Sequence, residues 1–199
     1  MSVFHPLPSV RVSARRPFMS AVRRIMIVGQ PGCGKSTLAV ALGERTGLPV
    51  IHIDKIQWQA GWVERSKAEK TRLCREAEQG ERWIFEGGHS ETWQNRIERA
   101  DMLICIHRSL SVRLWRVVMR AVRGLGRTRS DMAEGCPERL SSLPQFVAYI
   151  LATRYIGAAR VAQLASAAPD RCTVIHVRSD AEIAALLGTF RERFVHQSD

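Results

Sequence analysis

Short apolar runs alternate with stretches of helical periodicity along most of the chain. Ile25 to Val28 is continuously apolar and predicts a strand buried on both faces. Lys35 to Thr46 carries Leu38, Ala41 and Leu42 at helical spacing and runs into Gly47, a C-terminal stop. Val50 to Ile53 predicts a second strand, ending at Asp54. After a loop holding Trp58 and Trp62, Ser66 and Glu69 have capping-box spacing for a helix that ends near Gly80. Trp83 to Phe85 predicts a third strand, ending at Glu86-Gly87-Gly88, and Met102 to Ile106 a fourth. A long helix from about Ser111 to Arg123 follows, then a Gly-, Arg- and Ser-rich segment over 124–142 that predicts a mobile loop. Helical pattern from about 144 to 167 leads to a fifth strand, Thr173 to Val177, and a last helix capped by Ser179 and Glu182.

This βα alternation predicts a three-layer α/β/α fold, a parallel sheet covered by helices on both faces. In such sheets ligands bind beyond the carboxyl ends of the strands. Gly29, Asp54, Glu86, His107 and Arg178 all fall there.

Charge adds two local features. Net charge is +11, but residues 1–43 hold six basic groups and no acid, and residues 102–130 hold seven arginines and no acid. The remainder is close to neutral. The first region, with Pro6, Pro8 and Pro17 and no periodicity, predicts a disordered or extension tail over 1–22 before a single domain over 23–199. A targeting peptide and a nucleic-acid arm are the other readings of that tail. No apolar run reaches the ~18 residues of a membrane span. Five scattered cysteines without metal-ligand spacing fit a reducing, cytoplasmic setting better than a disulfide framework.

The chemistry begins at Gly29-Gln30-Pro31-Gly32-Cys33-Gly34-Lys35-Ser36, which satisfies G-x-x-x-x-G-K-[ST] between a strand and a helix. The backbone at Gly29, Gly32, Cys33 and Gly34 is expected to cradle phosphates. Lys35 is expected to reach the β- and γ-phosphates, and Ser36 to ligate Mg²⁺. Asp54 suits proton acceptance from an acceptor hydroxyl or the holding of a metal-bound water, and Glu86 the acidic partner of Mg²⁺, although Asp is commoner there. Gly87 and Gly88 open the backbone to an acceptor, with Arg96 and His89 as further contacts. Arg113, Arg116, Arg120, Arg123 and Arg127, spaced 3, 4, 3 and 4 apart, line one helical face and predict a phosphate clamp. Leu114, Val117, Val118 and Ala121 are left for the apolar face. Arg127 and Arg129 are placed to close over the nucleotide and stabilise the transferring phosphoryl group.

Together these features resemble the adenylate-kinase-like P-loop kinases, and more nearly the DNA topology modulation proteins within that group. The carrying stretches are "LPVIHIDKIQW", "ERWIFEGGHSETW", "RIERADMLICIHR" and "GRTRSDMAEGCPERL", within about residues 24–188. The resemblance implies a P-loop NTPase fold with a five-stranded parallel sheet, a Mg-ATP site and an arginine-bearing lid at about 124–142. It implies that Gly34, Lys35, Ser36 and Thr37 bind the phosphates and Mg²⁺. Arg116 and Arg120 match the lid-base arginines, and Arg178 falls in the adenine-contacting loop. Glu86 in place of Asp, and the absence of a Gly-Phe-Pro-Arg acceptor loop, separate the chain from nucleotide-monophosphate kinases. Cys136 alone in the lid excludes a four-cysteine zinc lid.

The expected function is therefore phosphoryl transfer from Mg-ATP to a small acceptor. The alternative is a nucleotide-regulated, DNA-associated protein with ATPase activity, touching nucleic acid through its basic tail.

Overall fold

The computed structural model describes residues 22–194, so most of the predicted tail, residues 1–21, lies outside it. The chain runs β1 (Arg24–Gly29), α1 (Lys35–Thr46), β2 (Val50–His52), α2 (Ile53–Gln57), β3 (Trp58–Gln59), β4 (Val63–Glu64) and α3 (Lys67–Glu78). It continues through β5 (Trp83–Glu86), α4 (Trp93–Arg99), β6 (Met102–Ile106), α5 (Leu110–Arg123), α6 (Leu143–Ser166), β7 (Thr173–Val177) and α7 (Asp180–Phe194).

Five strands form one parallel sheet in the order β2-β5-β1-β6-β7. β1 sits at its centre, and all four of its residues from Ile25 to Val28 are fully buried. Alternation splits them between two cores. Ile25 and Ile27 pack with Leu38 and Leu42 of α1 and Leu186 and Phe190 of α7. Met26 and Val28 pack on the other face with Phe85, Ile97 of α4, and Val161 and Leu164 of α6. This is the predicted three-layer α/β/α architecture with a five-stranded parallel sheet. No described helix is long and apolar enough to cross a membrane.

Local chemistry sets the element ends. Gly47 closes α1 in the left-handed region at φ 64°, donating its N–H to Gly43 O. Ser66 Oγ accepts from Glu69 N, and Ser179 Oγ accepts from Glu182 N, as the capping spacing predicts. Glu182 also accepts from the Arg178 N–H, one residue before the cap.

Three expectations are corrected. β2 stops at His52, so Asp54 stands in the first turn of α2 rather than at a strand end. The Trp58/Trp62 loop is a small antiparallel ribbon of β3 and β4, with the two indoles edge-to-face at 5.4 Å. The segment after α5 is not a free loop: Trp62 Nε1 donates to Pro137 O, and Gly61 N to Gly135 O.

Candidate active site

The glycine loop leaves β1 and enters α1 at the sheet's carboxyl edge. Gly32 and Gly34 hold φ of 78° and 100°, a region that side chains rarely adopt. A Cβ on Gly32 would also stand 2.6 Å from Arg113 O, so α5 packs directly onto the loop. Lys35 Nζ folds back to donate to Gln30 O at 3.3 Å. Burial opposes its charge, but Cys33, Glu86 and Asp54 together hold it above its ordinary value. The Cys33 side chain is buried, and the residue offers the loop its backbone alone. Thr37 is exposed at the start of α1.

Ser36 Oγ donates to Glu86 Oε1 at 3.0 Å, which unites the predicted metal-site pair. Asp54 lies nearby on α2. Burial, then the neighbouring Glu86, raise its carboxyl above the ordinary value against the pull of Lys35 and Arg129.

The arginine row divides in two. Arg113, Arg116 and Arg120 turn toward the loop and the lid segment. Arg113, only 2% exposed, donates through Nε to Pro31 O at 2.9 Å and through Nη1 to Gln30 Oε1. Gln30 in turn donates to Arg154 O of α6. Arg116 donates to Cys33 O and makes a two-pronged pair with Asp180 at 2.9 Å. Arg120 lies 3.3 Å from Glu138. Arg129 donates to Asp131 and Glu138, both at 2.9 Å, and stands 4.0 Å from Asp54. Arg129 thus links the segment after α5 to Asp54 of α2. Arg123 and Arg127, by contrast, are exposed and outside this cluster.

The expected apolar face of α5 is corrected too. Val117 and Ala121 are buried, but Val118 is exposed, along with Val112, Trp115 and Val122. With the arginines inward, much of the helix's apolar stripe faces solvent.

Arg96 is the other correction. It is 0% exposed, bonded to Glu78 at 3.0 Å and Thr92 at 2.7 Å, with its guanidinium 3.7 Å over the Phe85 ring. A side chain so enclosed does not reach an acceptor. Gly87 is buried, and a Cβ there would strike Ile53 Cγ2 at 2.0 Å, so its freedom serves packing. Gly88 is exposed, its carbonyl accepting from Trp93 Nε1. His89 is held by Thr71 Oγ1 at 2.8 Å, and burial lowers its imidazole below the ordinary value.

At the far edge, Arg178 is exposed beside His107 and His176, whose rings stack and share a 2.9 Å hydrogen bond. Burial and Arg178 lower the His176 imidazole; burial, His176 and Arg178 lower that of His107.

Several residues of this site carry no motif: His52, Asp131, Glu138 and Asp180. Asp131 gave the one available signal, being the first acid after the acid-free run over 102–130. Burial opposes its charge, yet Arg129 and the Ser36 hydroxyl hold its carboxyl below the ordinary value. A cleft of about 570 Å³ opens between the ribbon and the segment after α5, lined by Lys55, Trp58, Arg65 and Met132 among others.

Solved structures share this architecture. A shikimate kinase from Acinetobacter baumannii, in complex with shikimate, is similar at a TM-score of 0.56 and 13% identity, over 90% of this chain and 97% of that one. A shikimate kinase from Bacteroides thetaiotaomicron is similar at 0.50 and 17% identity, over 88% and 99%. At such identities the likeness is one of fold. No curated protein matches the sequence. Residues 25–124, from β1 through α5, match the model of the family described as AAA domain. That segment makes up half of the chain and holds the glycine loop, Glu86 and the inward arginines, and the protein belongs to the AAA domain family.

Proposed function

We propose that the protein is an adenylate-kinase-like phosphotransferase that moves the γ-phosphoryl group of Mg-ATP to a small acceptor bearing a hydroxyl or phosphate. The observation that carries this is convergence. Lys35, the Ser36–Glu86 pair, Asp54 and the lid residue Arg129 meet at one edge of the sheet, although they come from four separated stretches of sequence. A phosphate sensor needs the loop alone; an acid and a lid guanidinium beside it suit transfer.

The residues fit both cofactors. Glycine-loop N–H groups with Lys35 suit polyphosphate, and Arg116, Arg120 and Arg178 are positioned for the remaining phosphates and the base. Ser36 Oγ and the Glu86 carboxylate are hard oxygen donors of the kind Mg²⁺ takes, usually one or two carboxylates with water. Those two groups would hold the cation, which when bound would supply neutralisation of polyphosphate charge. In this scheme Lys35 and Arg120 orient the polyphosphate, Arg129 excludes water as part of the lid, and Asp54 accepts the acceptor's proton. Its raised carboxyl brings it nearer to the working pH of a general base. Gly88 and the cleft beside Lys55 and Trp58 are the acceptor side.

Likeness to the shikimate kinases supports a hydroxyl acceptor, and the resemblance of four stretches to DNA topology modulation proteins is the ground for proposing a place on that branch. The test is ADP release across nucleoside monophosphates, nucleosides and small hydroxy acids. One acceptor class should accelerate release, and Lys35→Ala should reduce turnover at least ~10²-fold with an unchanged unfolding transition. Unaltered ATP consumption in that variant sinks the assignment.

A further inference from the structure

His52 and Glu86 are register partners at the ends of adjacent parallel strands, so both side chains leave the sheet on one face. His52 Nδ1 lies 2.8 Å from Glu86 Oε1, and Ser36 Oγ lies 3.0 Å from that same oxygen. His52 is 7% exposed and Glu86 2%. Among the described residues, the side-chain hydrogen bonds to this carboxylate fall on Oε1, which leaves Oε2 for another ligand.

P-loop proteins commonly place an aspartate where this chain has Glu86. Glutamate is one methylene longer and has one more rotatable bond, so its carboxylate needs a tether to present a fixed oxygen. His52 supplies it from the neighbouring strand. Resting on the phosphotransferase reading of the site, we propose that His52 is a positioning residue. Its Nδ1–H pins Glu86 Oε1 so that Oε2 faces the Mg²⁺ of bound Mg-ATP, and the pair together does the work of the shorter aspartate.

Outer-shell partners of this kind are worth about 10–100-fold in metal affinity. Calorimetry of ATP binding, in EDTA and across a Mg²⁺ series, reads this without turnover. His52→Ala should raise the Mg²⁺ concentration for half-maximal enhancement of ATP binding by about 10–100-fold, leaving affinity in EDTA unchanged. His52→Asn, whose side-chain N–H falls near Nδ1, should recover most of the wild-type response. His52→Gln, whose N–H falls near Nε2, should not.

If His52→Ala does not fold, the Asn–Gln contrast decides. An unchanged Mg²⁺ response in His52→Ala, an equal loss of affinity in EDTA, or equal behaviour of Asn and Gln overturns the proposal. Wild-type protein that binds no ATP in either buffer overturns the phosphotransferase reading itself, a result distinct from a Mg²⁺ response that survives without His52.

Discussion

A guanidinium with no exposed surface must find its counter-charge within the fold. Arg96 does so with Glu78, Thr92 and the face of Phe85. Removing one member of such a pair leaves a buried charge uncompensated, at a cost of about 3–5 kcal/mol. Arg96→Ala should therefore lower stability by that amount in urea unfolding, while the folded fraction keeps its turnover. An acceptor-binding role would give the reverse, lost turnover at full stability. A basic residue in the sequence does not show which of these roles it holds, because its partner Glu78 lies 18 residues away along the chain, on the other side of β5. Lys35 and Ser36 were legible because the glycine loop is a local motif. His52 and Glu138 were not, because their partners come from other strands and from the lid.

At the scale of the element, helix α5 is inverted with respect to an ordinary surface helix. Periodicity correctly puts Arg113, Arg116 and Arg120 on one face, but periodicity does not say which face is inside. Here the arginine side turns inward, and Trp115, 61% exposed, turns outward. Tolerance to substitution should be inverted as well. Trp115→Lys and Val122→Lys should each change stability by less than about 0.5 kcal/mol. Arg113→Ala should cost about 1–3 kcal/mol, because the Pro31 carbonyl and Gln30 amide lose their buried donor. Denaturant midpoints of the three variants check this ordering. The sheet strands were legible for the opposite reason: Met102 to Ile106 is buried on both faces and needs no choice of side. The ribbon of β3 and β4 was not, since two-residue strands leave no period to detect.

All five thiols are buried: Cys33 on one face of the sheet, Cys74, Cys105 and Cys172 on the other, and Cys136 in the segment after α5. Burial pushes Cys74 and Cys172 up to about 11 and Cys105 up to about 12. An acid whose folded value is raised binds more protons native than unfolded once pH passes the unfolded value. Its contribution is thus complete below pH 9, the ordinary thiol value, and lost as pH rises toward 11 to 12. Each thiol costs about 1.4 kcal/mol per pH unit in that window. Thermal unfolding between pH 8 and 10.5 should show this decline, and replacing Cys74 and Cys172 by alanine should flatten it.

Glu138 has a consequence beyond the shape of the segment after α5. Arg120 and Arg129 already share its carboxylate, and backbone bonds to Arg127 and Gly126 hold it in place. The positive charge of Arg120 and Arg129 is thus already matched by a carboxylate. On the proposed function, an arriving phosphate displaces a resident anion, so the lid competes with its own ligand. Affinity is then the difference between two counter-charges, and the same carboxylate, returning, helps eject the product.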